Sequence, residues 1–230
     1  MKIYGLAKLT LLDFPGKMAC TVFTGGCNMR CPFCHNAPLV THLNPDEALD
    51  TEEFFTFLQK RSKVLEGVAI TGGEPLIHND ISAFIERIRA LGYLVKLDTN
   101  GSFPDKLEEL INNKLIDYVA MDIKNSPELY PKTVGLADFD VEPVKRSVSL
   151  LLKGTIPFEF RTTVVKELHT PQDIVSIAKW IQGAPKYFLQ QFKDSGALIG
   201  SGFSAYSPEE MARILEAVKP FIPGAELRGI

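Results

Sequence analysis

A chain of 230 residues, 45% hydrophobic and 23% charged, has the make-up of a globular protein and excludes a disordered or fibrous one; its length predicts a single domain over residues 1–230. The formal net charge of -3 leaves no basic footprint of the kind nucleic-acid binding needs. Asp13, Pro15 and Lys17 interrupt the N-terminal apolar residues before a signal-like or membrane-spanning run can form, so the expected setting is cytoplasmic, with neither nucleic acid nor membrane as a partner.

Residues 17–24 (KMACTVFT) are apolar and partly β-branched, as a buried strand requires, and run straight into Gly25-Gly26 and a group of cysteines. A proline-containing link spans residues 38–45, after which Thr51 stands as the cap of a helix carrying Phe54, Phe55 and Leu58. Residues 67–71 (GVAIT) form a second strand ending in Gly72-Gly73. Ile81, Phe84, Ile85, Ile88 and Leu91 then recur at helical spacing up to a stop at Gly92. A strand over 93–98, a helix over 104–113, a strand over 117–122 and a helix over 142–153 continue the alternation, followed by a strand over 158–165. Thr170-Pro171 with Asp173 opens a helix with the buried stripe Ile174, Ile177, Ala178 and Ile181; residues 187–192 form the sixth strand, and Ser207-Pro208 with Glu210 opens the last helix.

Six strand–helix units predict an α/β fold with a mostly parallel sheet and right-handed crossovers. A complete eight-unit barrel typically takes about 250 residues, so an incomplete (β/α)6 TIM-type barrel with a C-terminal helix suits this length, a doubly wound sheet being the alternative. Both architectures gather functional groups at the C-terminal ends of their strands. The chemistry-bearing residues fall there: Cys27, Cys31 and Cys34 after the first strand, Gly72-Gly73-Glu74 after the second, Asp98-Thr99-Asn100-Gly101 after the third, Asp122 and Lys124 after the fourth, Arg161 on the fifth and Gln190 on the sixth.

The loop CNMRCPFC places three thiols at spacings of four and three. Thiolates are soft ligands suited to iron–sulfur clusters, zinc or copper. A structural zinc site takes four protein ligands, and here only the adjacent His35 offers a fourth, at the cost of local strain. Three ligands on a cubic cluster leave one iron open to a small molecule. Phe33 stands between two of the ligands and can shield one side of a cofactor. Cys20, on the preceding strand, reads as a buried thiol. Asp122 and Lys124 share one strand face and match the charges of a zwitterionic amino acid.

The triple-cysteine loop after the first strand, together with the TGGEP segment at residues 71–75, resembles the signature of the radical S-adenosylmethionine superfamily. Over essentially the whole chain the resemblance is to its glycyl radical enzyme activating branch. KLTLLDFPGK and FTGGCNMRCPFCHN are most similar to the activators of anaerobic ribonucleoside-triphosphate reductase. An activator of another glycyl radical enzyme, of the pyruvate formate-lyase type, is the alternative within this chemistry. A noncatalytic metal-binding module for protein interaction is the alternative outside it.

The resemblance implies a [4Fe-4S] cluster on Cys27, Cys31 and Cys34. It also implies S-adenosylmethionine chelated to the open iron, split by one electron into methionine and a 5′-deoxyadenosyl radical that takes the α-hydrogen of a glycine in the partner enzyme. A low-potential donor of flavodoxin or ferredoxin type supplies the electron. By the same resemblance, carbonyls of Gly72 and Gly73 meet the cofactor's amino group, Glu74 anchors that turn, and Lys124 reaches the methionine carboxylate. Asp98, Thr99, Asn100 and Asp122 lie near the cofactor, with a monovalent cation between Asp98 and Asp122. Arg161 assists with the carboxylate or the substrate peptide, and Gln190 reads the adenine edge or lines the inner wall. No cysteine follows Cys34, which argues against auxiliary clusters.

Overall fold

The structure, a computed structural model, describes residues 1–230. It forms two compact units interleaved along the chain. The first comprises Met1–Asn28, Pro38–Thr99 and Asp105–Val119; the second comprises Met29–Ala37, Asn100–Pro104 and Ala120–Ile230.

In the first unit, β1 (Ile3–Thr10) runs antiparallel to β2 (Ala19–Thr24), pairing Ile3 with Thr24 and Thr10 with Ala19. A short α1 (Ala37–Thr41) and a 3-10 turn (Pro45–Glu47) occupy the expected link. α2 (Thr51–Arg61) follows, and its cap is Asp50 rather than Thr51: the Asp50 carboxylate accepts from the Glu52 amide at 2.9 Å, while the Thr51 hydroxyl donates to the Met1 carbonyl. β3 (Gly67–Gly72) pairs parallel with β2, and β4 (Leu94–Thr99) parallel with β3. Between them α3 (Ile81–Ala90) buries Ile81, Phe84, Ile85 and Ile88 and ends where Gly92 turns left-handed at φ +88°. Phe54 and Phe55 of α2, 5.3 Å apart, meet Phe84 at ring separations of 5.6 and 5.4 Å, a packed aromatic triad that sets one helix against the next. α4 (Pro104–Asn112) completes the helices of this unit.

β5 (Tyr118–Asp122) gives its last three residues to the second unit. There follow a short α5 (Tyr130–Val134), α6 (Glu142–Leu152), β6 (Phe158–Val164), α7 (Pro171–Trp180), β7 (Tyr187–Gln191), α8 (Pro208–Val218) and β8 (Ala225–Arg228). β6, β7 and β8 are parallel neighbours in chain order. α7 and α8 begin with complete capping boxes, Thr170 with Asp173 and Ser207 with Glu210.

The class is therefore α/β, with β2, β3 and β4 parallel in the first unit and β6, β7 and β8 parallel in the second. The six expected strands are β2 to β7. Two further strands flank them, and the chain does not finish on its last helix, because β8 follows α8. No helix is long and apolar enough to cross a membrane.

Candidate active site

The first unit carries the start of the cysteine loop. At the end of β2 the backbone passes Gly25-Gly26 into Cys27, and the turn after β3 is fastened to it: the Gly73 amide donates to the Thr24 carbonyl and the Glu74 amide to the Gly26 carbonyl, both at 2.8 Å. Gly73 lies so close to Gly26 that a Cβ would sit 1.8 Å from its carbonyl oxygen, and Gly72 has φ +115° with a would-be Cβ 2.4 Å from Thr24 backbone atoms. Both positions thus demand glycine for the approach of two backbones, a reason additional to any ligand. On the other side the Gly26 amide donates to the Leu39 carbonyl at 2.7 Å, and the His78 ring bonds the Gly25 carbonyl at 3.0 Å.

Glu74 is buried, and its carboxylate accepts from the Leu76 amide at 3.1 Å and the Thr99 hydroxyl at 2.8 Å. It anchors its turn, and Thr99 is tied to it. Lys106 of α4 closes the segment by donating to the carbonyls of Leu76 and His78. Asp98 is ion-paired with the fully buried Lys96 two residues earlier on the same face of β4.

The second unit carries the rest of the loop. The Cys34 amide turns back onto the Cys31 carbonyl at 3.1 Å, the Arg30 amide donates to Val134, and the Gly200 amide donates to Pro32. None of the four cysteines forms a disulfide. Burial pushes the Cys34 thiol up, opposed by Lys124 and the Asn36 amide. Cys31 in turn helps hold the Lys124 ammonium in its charged form. Phe33 is buried with its ring edge-on to His169 at 6.3 Å. His35, the alternative fourth ligand for zinc, stacks on Phe192 at 5.7 Å.

At the end of β5, Asp122 lies between two cations. Its Oδ1 accepts from Arg161 Nε at 2.9 Å and its Oδ2 from Lys124 Nζ at 3.0 Å. Burial alone would raise the Asp122 carboxyl, but Arg161 and Lys124 outweigh it and hold the group well below the usual carboxylate range. For Lys124, burial works against the charge, and Asp122 followed by Cys31 overcomes it, so its pKa is raised. The Asp122 carboxylate thus bridges two cations in this half-buried group.

Gln190 of β7 is in register with Thr163 and Arg228 and so shares the sheet face of Arg161. Asn100 has a local role: its Oδ1 accepts from the Ser102 amide and hydroxyl at 3.0 and 2.5 Å, a side-chain-assisted turn. Ser147 of α6 then holds the Gly101 carbonyl at 2.7 Å.

Three positions escape sequence reasoning. Lys96 is one, because a lysine in a strand normally points outward. His169 is another: buried, it accepts from the Val165 amide at Nδ1 and faces the Lys124 carbonyl with Nε2 at 2.7 Å, so that Nε2 carries the proton and fixes the Lys124 backbone. Tyr130 is the third, its hydroxyl accepting from the Lys124 amide at 3.3 Å. Isolated His and Tyr residues outside any motif give no signal of such roles.

The expected monovalent cation does not suit these donors. Asp98 already has Lys96, and both oxygens of Asp122 already accept from cationic side chains. Three soft thiols on one short loop, none in a disulfide, do suit an iron–sulfur cluster, and the Lys124 ammonium beside Asp122 suits a carboxylate ligand.

The profile of the Radical SAM superfamily matches residues 21–181. A Methanocaldococcus jannaschii protein, provisionally named a glycyl-radical enzyme activating enzyme, is 36% identical over 85% of this chain and 81% of its own length. The pyruvate formate-lyase-activating enzyme of Listeria monocytogenes is 25% identical over 80% of this chain and 77% of its own. Among solved structures, Streptococcus suis SuiB bound to S-adenosylmethionine superposes with a TM-score of 0.71 at 15% identity, covering 90% of this chain and 49% of SuiB, a likeness of fold.

Proposed function

Since the chain belongs to the Radical SAM superfamily, we propose that it is the activating enzyme of a glycyl radical enzyme, and that its target is an anaerobic ribonucleoside-triphosphate reductase. Membership of the family implies a [4Fe-4S] cluster and S-adenosylmethionine. When bound, these supply a one-electron cleavage of the sulfonium that provides a hydrogen-abstracting radical.

The chain's own residues bind and place these groups. Cys27, Cys31 and Cys34 are the cluster ligands. Phe33 packs beside them. Gly72 and Gly73 present backbone carbonyls, their amide side being fixed by the cysteine loop, as the Gly73 to Thr24 bond illustrates. Lys124 and Arg161, the two cations beside Asp122, hold the carboxylate of the amino-acid moiety. Asp98 accepts from ribose hydroxyls, with Thr99 and Glu74 bracing the strand ends, and Gln190 meets the adenine edge or the incoming peptide. Placement matters because a primary radical takes whatever hydrogen is nearest.

The observation that carries this reading is the loop itself: three thiols within eight residues, free of disulfides, whose flanking backbone is pinned by hydrogen bonds from the turn after β3. The target is favoured by the opening KLTLLDFPGK, whereas the activating-enzyme relatives support the activity alone.

The test is to reconstitute the full chain without oxygen and reduce it with a flavodoxin- or ferredoxin-type donor and S-adenosylmethionine. It is then offered the anaerobic reductase and, separately, a pyruvate formate-lyase. We expect 5′-deoxyadenosine and a glycyl radical signal by electron paramagnetic resonance on the reductase. A signal on the lyase alone transfers the target, and no 5′-deoxyadenosine from a fully loaded cluster overturns the activity.

A further inference from the structure

In the second unit, Lys124 and the cysteine loop are fastened to opposite ends of one short helix, α5. Lys124 lies two residues beyond the end of β5, and side chains hold its backbone there. Its amide donates to the Tyr130 hydroxyl at 3.3 Å, that hydroxyl donates to the Asp122 carbonyl at 3.5 Å, and the Lys124 carbonyl faces His169. The next residue is tied to the same helix: Asn125, wholly buried, donates through Nδ2 to the Thr133 hydroxyl at 2.9 Å. At the far end of α5 the Val134 carbonyl accepts from the Arg30 amide, within the cysteine loop, at 2.9 Å. Gly135 follows with φ +75°, and a Cβ there would lie 2.4 Å from the Arg30 carbonyl oxygen, so this approach of the loop to the helix end requires glycine.

α5 has five residues, far fewer than a helix needs to persist in water by itself. Pro131 fixes its first turn. The buried Tyr130 ring stacks on Phe139 at 5.8 Å and meets Trp180 edge-on at 6.3 Å, and the Gly135 and Leu136 amides turn back onto the carbonyls of Lys132 and Pro131. Packing and ties hold so short a helix together, and a displacement at one end must therefore reach the other. From Tyr130 to Val134 the ties lie about 6 Å apart along the axis.

We propose that α5 is a spacer that sets the cysteine loop at a fixed distance from Lys124, with Tyr130 and Gly135 as its positioning residues. The cofactor arm of the test rests on the proposed function, in which one molecule of S-adenosylmethionine meets both the cluster on that loop and the Lys124 ammonium; the backbone arm does not. A ligand held at two points loses affinity when their spacing drifts, whereas loading of the cluster needs the loop alone.

Hydrogen exchange of the full chain before reconstitution, read by mass spectrometry, is the backbone arm. Tyr130→Phe keeps the packed ring and removes the hydroxyl. It should raise exchange about threefold or more in residues 122–126 and also, at the far end, in residues 29–34. Gly135→Ala should do the same from the opposite side. Exchange that rises only at the substituted end makes the two ties independent and overturns the spacer, as does no change at either end. Should Gly135→Ala fail to fold, Tyr130→Phe decides alone.

The reconstituted chain is then titrated calorimetrically with S-adenosylmethionine. Tyr130→Phe should hold as much iron as the wild type yet bind the nucleoside about fivefold more weakly. Unchanged affinity overturns the proposal, and so does a loss of iron in step with affinity, the mark of a general loosening. Should the wild type itself fail to bind S-adenosylmethionine, the proposed function falls, while exchange still decides whether α5 couples its two ends.

Discussion

The two ion-paired groups at the strand ends differ in closure and in charge. Lys96 and Asp98, in the first unit, are nearly sealed from water and pair one cation with one carboxylate. Asp122, Lys124 and Arg161, in the second, have side chains 31%, 18% and 13% exposed and set two cations on one carboxylate. A closed pair fixes the direction of one group. A half-open group in which two cations meet attracts an anion. In the first unit polar residues serve shape, as Glu74 and Thr99 also do through their mutual hydrogen bond; in the second they serve charge.

The largest effect tests what the two regions have in common, the cysteine loop that begins in one and continues in the other. Replacing any of Cys27, Cys31 or Cys34 by alanine should abolish 5′-deoxyadenosine formation and leave iron bound incompletely or not at all. Iron analysis together with product chromatography checks both, and full turnover by any of the three would remove that residue from the ligand set.

Next comes shape. Gly73→Ala places a methyl 1.8 Å from the Gly26 carbonyl oxygen, a clash of backbone against backbone that no rotamer relieves. We expect a loss on the order of 3 kcal/mol in urea unfolding and reduced cluster loading. A fully stable Gly73→Ala protein would mean that the turn after β3 does not hold the loop.

Charge follows. Lys124→Met removes one of the two cations of the second group. A hydrogen bond to a charged partner contributes about 1.5–3 kcal/mol, so binding of S-adenosylmethionine should weaken by about tenfold or more, and its dependence on ionic strength should flatten. Equal salt dependence in wild type and variant would show that the Lys124 charge does not attract the ligand.

Much of this arrangement was legible in the sequence, and the parts that were not share a cause. Strands β2 to β7 announced themselves through continuous apolar runs, and the capping boxes at Thr170 and Ser207 were written in the letters. β1 was not, because only Ile3 of its eight residues is buried, so it lacks both a hydrophobic run and a clean alternation. β8 is four residues long, below the length at which a pattern can be told from a loop. Of the site, the cysteines and the Asp122–Lys124 face were readable from spacing. Lys96 and His169 were not, since their meaning lies in what they meet: an ammonium turned onto Asp98, and an imidazole wedged between Val165 and the Lys124 carbonyl.

That imidazole gives the second unit a pH dependence. Burial, against weaker opposing hydrogen bonds, holds His169 below the ordinary histidine value of 6.5. The unfolded chain therefore takes up this proton more readily than the folded one. Stability is whole above about pH 6.5 and falls as the pH drops from there toward the folded value. His169→Gln should start from a lower melting temperature at neutral pH yet decline less steeply between about pH 6.5 and 5. An unchanged slope would assign the acid sensitivity elsewhere, His78 being the other histidine lowered chiefly by burial.

The smallest effect is expected at the fourth cysteine, and it is the one that separates ligand from bystander. Cys20 lies on β2, wholly buried, with burial pushing its thiol up to about 12. A metal ligand must be a thiolate, and at Cys20 burial outweighs the one backbone hydrogen bond that favours that form, in contrast to Cys31 and Cys34 with the Lys124 ammonium among their electrostatic neighbours. Cys20→Ala should thus cost about 1 kcal/mol for the small cavity it leaves, with iron content and 5′-deoxyadenosine yield unchanged. If iron fell instead as it does for the loop cysteines, the open iron on which the proposed chemistry depends would be closed by a fourth sulfur, and the Lys124 ammonium beside Asp122 would have no carboxylate to receive.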